Sequence, residues 1–309
     1  MRTKCLNMVH TLARKDARIT FIGSDLGVKS LSDMQTELPD RFVMEGINEA
    51  NAVGMAAGMA LEGRVVYVNT IATFIVRRAL EQVCVDLCMH KVAVRLIGNG
   101  GGLVYAPLGA THLAVEDIAL MRALPNMTVV CPCDADEMAR LIPQTVDWPG
   151  PIYIRLAKGY DPVVSKASLG FIIGKAILYR QGMDLLLVTT GVTLQQAVAA
   201  ADTLFARGIE AGIVHLHTIK PLDSEILLSA ASQAKAVITV EEHSLMGGLG
   251  SAVAEVLLEG GVFRPFKRLG IPDIFPDYYG TQLEIMQRLG IDAQGIVASA
   301  NRLLEECHA

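Results

Sequence analysis

The sequence predicts an α/β protein of two doubly wound domains, each a mainly parallel sheet flanked by helices, and three observations lead there. Short β-rich runs alternate with helical patterns along almost the whole chain, the order a parallel sheet needs because every crossover carries a helix. Hydrophobic residues make up 51% of the 309 residues and aromatics only 5%, so the core must come from Ala, Val, Leu, Ile and Met, the set that packs helices on buried parallel strands. The alternation breaks once, after Lys158, and then resumes. At roughly 150 residues per domain that places two units in the chain. The expected division is residues 1–160 for the first domain, 161–182 for a linking ribbon and 183–309 for the second.

MRTKCLNMVHTLARKDAR, with scattered basic residues and no sustained apolar stretch, reads as a first helix and not as a signal peptide. Arg18–Gly23 is a strand. Asn48–Leu61 carries small residues at helical spacing. Val65–Thr70 is a strand, followed by a helix through Arg77–His90 and a strand at Val92–Gly98. The glycine-rich stretch from Asn99 to about Gly109 is a loop. Beyond it the pattern gives helix Ala114–Leu124, strand Met127–Val130, helix Asp134–Val146 and strand Ile152–Leu156. Phe171–Arg180 reads as a two-stranded ribbon. The second unit follows with strands at Asp184–Thr190, Gly212–His217 and Ala236–Glu241 around helices Leu194–Arg207 and Asp223–Ala234, and it closes with a helix near Gln294–Cys307.

Composition excludes several functions. The net charge is −5, with 27 Lys and Arg against 32 Asp and Glu, and no basic run is interleaved with aromatics, so no nucleic-acid partner is expected. The apolar runs fall short of the roughly 20 residues a membrane helix needs. Six cysteines without a secretion signal point to reduced thiols in the cytoplasm. Cys131 and Cys133 lack the two-residue spacer of a zinc site, and Cys84 and Cys88 fall in an apolar helix, so no metal site is expected from them.

Glu49 is the first candidate for chemistry. It opens a Gly- and Ala-rich helix, where a carboxylate also simply complements the helix dipole. His112 ends the loop Gly98–His112, which lies where doubly wound sheets bind ligands, and serves either as an acid–base group or as a cap on the next helix. Gly247–Gly250 opens a helix and could accept an anion, though tight packing explains it equally well. Ile71 and Phe74, between a strand and the helix near Arg77, read as core. Lys158 ends the last strand of the first unit, free for a phosphate or for solvent. His215 and His217 read as a half-buried strand, and Glu241-Glu242-His243 as an ordinary strand end. No Gly-x-Gly-x-x-Gly fingerprint follows the first strand and no Walker-type loop occurs.

In order along the chain, FVMEGINEANAVGMAAGMALEG, NTIATFIVRRALEQV, GATHLAVEDIALMRALPNMTVVCPCDADE, TIKPLD and VEEHSLMGGLG resemble the C-terminal half of the transketolase family, from about residue 18 to 300. The resemblance implies a pyrimidine-binding domain followed by the family's C-terminal domain, with thiamine diphosphate as cofactor. The family's third module holds the magnesium ion and pyrophosphate on a Gly-Asp-Gly motif, which is absent here. That implies a partner: the N-terminal, pyrophosphate-binding subunit of a split transketolase, in an expected heterotetramer built on a homodimer of this chain.

By the same resemblance Glu49 is the carboxyl that faces the pyrimidine ring and favours its imino tautomer. Phe74 and Ile71 pack on the cofactor, Ile71 standing where relatives carry an aromatic. Asp25, in Gly23-Ser24-Asp25-Leu26, lines the cofactor site. His112 contacts substrate as a proton shuttle, and Lys158 replaces an arginine that holds a sugar phosphate. The family's acidic segment before the histidine reads Tyr105-Ala106-Pro107-Leu108-Gly109 here, and Gly100 stands in place of a phosphate-contacting histidine. These departures imply an atypical sugar, sulfonated or branched. Two other readings stay open: a decarboxylating subunit like 1-deoxyxylulose-phosphate synthase or the beta subunit of a 2-oxo acid dehydrogenase, and a non-catalytic subunit that only binds a partner.

Overall fold

The computed structural model describes residues 1–309 except 25, 27–29, 158, 160, 308 and 309. The N-terminal half runs α1 (Arg2–Ala13), β1 (Ile19–Gly23), α2 (Ser32–Glu37), β2 (Phe42–Met44), α3 (Glu49–Leu61), β3 (Val65–Ile71), α4 (Ala72–Arg78), α5 (Leu80–Gln82), β4 (Val94–Asn99), α6 (Asp117–Ala123), β5 (Thr128–Val130), α7 (Ala135–Thr145) and β6 (Ile152–Leu156). The C-terminal half runs β7 (Ile177–Arg180), β8 (Leu185–Thr189), α8 (Thr193–Phe205), β9 (Ala211–His215), β10 (Thr218–Lys220), α9 (Ser224–Gln233), β11 (Ala236–Ser244), α10 (Leu249–Glu259), β12 (Phe266–Ile271), α11 (Gln282–Leu289) and α12 (Ala293–Glu306).

The strands form two sheets, of order β10-β5-β6-β4-β3-β1-β2 and β12-β11-β8-β9-β7. All neighbours are parallel except β10 against β5 and β7 against β9. Every residue of β1, β4, β6, β8 and β9 is buried, as helices on both faces of a parallel sheet require. Two α/β layers with mainly parallel sheets are the architecture the alternation predicts.

Three details differ from the sequence reading, each for a tertiary reason. Phe171–Arg180 is not a ribbon folded on itself: only Ile177–Arg180 is a strand, and it pairs antiparallel with β9. The strand expected over Gly212–His217 ends at His215, and the chain then crosses to the other sheet, where Thr218 pairs with Val130. A strand of the second half thus edges the first half's sheet. The helix expected from Arg77 begins at Ala72, directly after β3, and continues through α5 into a π-helical turn at Val83–Met89. The β-branched run Thr70–Val76 hides that start from a propensity argument.

One apolar cluster joins the halves. Val68, Val76, Leu96 and Ile118 of the first half belong to the same buried group as Val188, Leu216, Leu249 and Val253 of the second. The sheet order also fixes where a ligand can reach the first half: β1 and β3 are neighbours, and the connection out of β1 runs to β2 on one side while that out of β3 runs to β4 on the other. The crevice at the carboxyl ends of β1 and β3 is the switch point where such sheets bind ligands.

Candidate functional site

Five segments meet at that switch point. Glu49 is the first residue of α3, where a carboxylate is favoured by the helix dipole, and it is only 2% exposed. Thr70, near the end of β3, donates its hydroxyl to Glu49 Oε1 at 3.2 Å, and Ser24 after β1 donates to the Thr70 hydroxyl at 2.9 Å. On the outer side Arg78, the last residue of α4, donates from Nη1 to Glu49 Oε2 at 2.6 Å. The same guanidinium lies 4.6 Å from the centre of the Phe74 ring. Phe74 in turn meets His112 edge to face, centroids 5.2 Å apart, and His112 Nδ1 is 3.0 Å from the Thr111 hydroxyl.

Glu49, Phe74 and His112 therefore come together, with Ile71 half-buried as the residue that caps α4. Asp25 and Lys158 lie outside the described residues. The reading of Phe74 and Ile71 as plain core is corrected: both are half-buried, Ile71 as the cap of α4 and Phe74 in its first turn, against His112 and Arg78. The sequence reading missed Arg78, Thr70 and Ser24. Arg78 had one available signal, its position four residues after Phe74 on a helix, which puts both on one face.

The glycine-rich loop explains a further departure. Gly100 has φ +74°, and a Cβ there would sit 2.0 Å from the Tyr105 ring, so the aromatic occupies the space a side chain at position 100 would need. Gly100 and Gly101 both donate to the Leu156 carbonyl at 2.9 Å, and Gly102 donates to that of Ala114 at the same length, pinning the loop before it reaches His112.

A second set of polar residues lies buried between the halves. Asp117 Oδ2 accepts from the Tyr153 hydroxyl at 2.7 Å and from Arg155 Nε at 2.8 Å, while Arg155 Nη2 reaches the carbonyls of Ala114 and Glu242. Glu242 Oε1 accepts from the Leu103 amide and from Gln282. Glu241 accepts from the amides of Leu249 and Gly250 at 2.6 and 2.8 Å, so the helix end after Gly247–Gly250, open to an anion in the sequence, is filled by the chain's own carboxylate. Burial pushes both Glu241 and Glu242 up to about 7.

His215 and His217 are fully buried rather than half-buried. His215 Nε2 meets Glu137 Oε2 at 3.1 Å, and that oxygen also accepts the Cys133 amide at 2.7 Å. Burial lowers His217 to about 4 and pushes the Cys133 thiol far up. Cys133, Glu137 and His215 thus bring ligand-type atoms within 4.8 Å of one another, in a network whose hydrogen bonds tie α7 to β9. Among the described residues no helix is long and apolar enough to cross a membrane.

Comparisons with known proteins bear on both halves of the chain. The transketolase pyrimidine-binding domain matches residues 1–160 and the transketolase C-terminal domain residues 174–296. The chain is 40% identical over 291 residues to an apulose-4-phosphate transketolase subunit of Phocaeicola vulgatus, covering 94% of this chain and 92% of that protein. It is 33% identical to the 6-deoxy-6-sulfo-D-fructose transketolase subunit SqwH of a Clostridium species, over 99% of this chain and 94% of the relative. Among solved structures, a split-gene transketolase described as an inactive beta4 tetramer superposes with a TM-score of 0.89 at 34% identity, over 98% of this chain and 97% of that one. The chain therefore belongs to the transketolase family and carries its pyrimidine-binding and C-terminal domains.

Proposed function

We propose that this chain supplies the cofactor-activating half of a two-subunit transketolase that works on an atypical sugar, and that Glu49 is the activating carboxyl. The observation that carries the reading is a carboxylate enclosed at the switch point whose outer oxygen is met by a planar nitrogen donor lying over an aromatic ring. An aminopyrimidine is also a planar ring with nitrogen donors, so the residues present fit it. When bound, thiamine diphosphate supplies the nucleophilic carbon that carries a two-carbon ketol unit between a ketose and an aldose.

The chain's own residues would then divide the work. Glu49 holds, on Oε2, the proton shared with the pyrimidine ring nitrogen, and Thr70 orients it through Oε1. Phe74 and Ile71 pack on the ring and exclude water. His112, with Nδ1 engaged by Thr111, exchanges a proton with substrate from Nε2. Asp25 would line the cofactor site, and Lys158 would hold the sugar's terminal anion. Residues 1–160 and 183–309 form the two domains, the second packing and bracing the first.

The diphosphate and its magnesium ion fall to the partner subunit, because no Gly-Asp-Gly occurs in these 309 residues. Ile47, 69% exposed beside Glu49, and Leu108, 54% exposed before His112, are apolar side chains that an assembly of two copies of each subunit would cover. Six unpaired cysteines support a cytoplasmic setting. The sugar class rests on Tyr105-Ala106-Pro107-Leu108-Gly109, which offers no acidic side chain, and on the relatives named for apulose 4-phosphate and a sulfofructose.

The test is calorimetric titration of thiamine diphosphate with magnesium into the chain alone and into its complex with a pyrophosphate-domain subunit. Binding in the mixture alone supports the split enzyme, and tight binding to the isolated chain refutes it. A substrate panel then decides the sugar. Highest kcat/KM with xylulose 5-phosphate and ribose 5-phosphate would overturn the atypical-sugar reading, and carbon dioxide release from pyruvate would favour a decarboxylating subunit.

A further inference from the structure

The guanidinium of Arg78 meets two groups at once: it donates to Glu49 Oε2 at 2.6 Å and lies 4.6 Å from the centre of the Phe74 ring. Those are the two groups assigned above to the aminopyrimidine, and a guanidinium resembles that ligand chemically, being flat, delocalised and edged with N–H donors. The two cannot hold the same oxygen and the same ring face together. The pair is also lopsided, since the Glu49 side chain is 2% exposed and that of Arg78 is 48% exposed. A long arginine side chain rooted at the end of a helix can turn into water, where its charge is solvated at little cost. Glu49 has no such freedom, and an unpaired carboxylate at its depth would be strongly unfavourable.

We propose that Arg78 is a placeholder for the cofactor: in the free subunit it neutralises Glu49 and covers Phe74, and it swings out when the aminopyrimidine enters. The inference rests on the assignment of Glu49 and Phe74 to the cofactor. Arg78 is then a positioning residue that keeps the empty site folded and charge-balanced. Affinity for the cofactor is scaled down to the fraction of molecules in which the side chain has already swung out.

The experiment is calorimetric titration of thiamine diphosphate with magnesium into the complex of this chain with its pyrophosphate-domain subunit, with thermal unfolding of each ligand-free variant alongside. Arg78→Met is expected to lower Kd by about 2- to 5-fold, the size of a part-exposed charged contact. Arg78→Lys, which keeps the charge and loses the flat fork, is expected to fall between Arg78→Met and the wild type. A gain in affinity is a result that a merely structural arginine would not give. If Glu49→Gln and Phe74→Ala weaken binding while Arg78→Met leaves it unchanged or weaker, the placeholder is overturned and the cofactor site stands. If Glu49→Gln and Phe74→Ala leave Kd unchanged, the cofactor assignment fails and the placeholder with it. Should Arg78→Met not fold, Arg78→Lys decides alone: a lower Kd supports the proposal, and an equal or higher one refutes it.

Discussion

Glu49 and Asp117 are both enclosed carboxylates paired with an arginine, yet their surroundings differ. Asp117 and Arg155 are both buried, with side chains 0% and 7% exposed, and Arg155 is further fixed by the carbonyls of Ala114 and Glu242. Glu49 is just as enclosed, but Arg78 stands at the surface with half its side chain in solvent. The first pair is a brace between the halves and cannot open without leaving two charges dry. The second leaves its cation in contact with water. Whether an ion pair is architecture or a replaceable cover thus depends less on the carboxylate than on how far its partner is from water.

The largest effect that would sharpen this contrast is expected from Glu49→Gln. In the reconstituted enzyme turnover should fall by roughly 10²–10⁴-fold, with little change in the thermal midpoint of the ligand-free protein, because Arg78 can retreat into solvent. Unchanged turnover would refute the assignment. The opposite balance is expected for Arg155→Met. Denaturant unfolding should show a loss of about 3–5 kcal/mol, since Asp117 is left buried without its cation; a loss below about 1 kcal/mol would mean the pair is not a brace.

The seam should also show in the pH dependence. Burial raises Glu242 from the usual 4.5 to about 7, so the folded chain binds that proton more tightly than the unfolded one. The contribution is full below about 4.5 and is lost as pH rises through 7. Glu242→Gln should flatten stability against pH over that window, and an unaltered profile would place the titration elsewhere. The smallest effect is expected from Thr70→Val, which removes one hydrogen bond of about 0.5–1.5 kcal/mol from Glu49 while sparing Arg78. Calorimetry should register a cofactor Kd higher by about 2- to 10-fold, and an unchanged Kd would mean that Thr70 does not orient Glu49 toward the cofactor.

Much of the fold is local enough to be read from residue order. Alternating β-rich and helical runs, the acidic start of α3 and the glycine punctuation before His112 are patterns spanning a few residues, and backbone propensity and dipole effects act on that scale. The start of α4 escapes such a reading because Thr70–Val76 is rich in β-branched residues, which favour extended backbone until packing overrides them. In sequence Phe74 consequently reads as core, although the helix presents it to the site.

By itself, then, the sequence determined the plan of two α/β domains with mainly parallel sheets, the position of Glu49 at a helix start and the ordered motifs that mark the family. The tertiary structure decided who meets whom. It joined Arg78 to Glu49 across 29 residues and His215 to Glu137 across 78, sent β10 into the other half's sheet, and filled the α10 N-terminus with Glu241. The reason is physical. Hydrophobic periodicity specifies which face of an element is buried, but the partners of a buried polar side chain depend on sheet register and on how the two halves pack, and no local pattern encodes either.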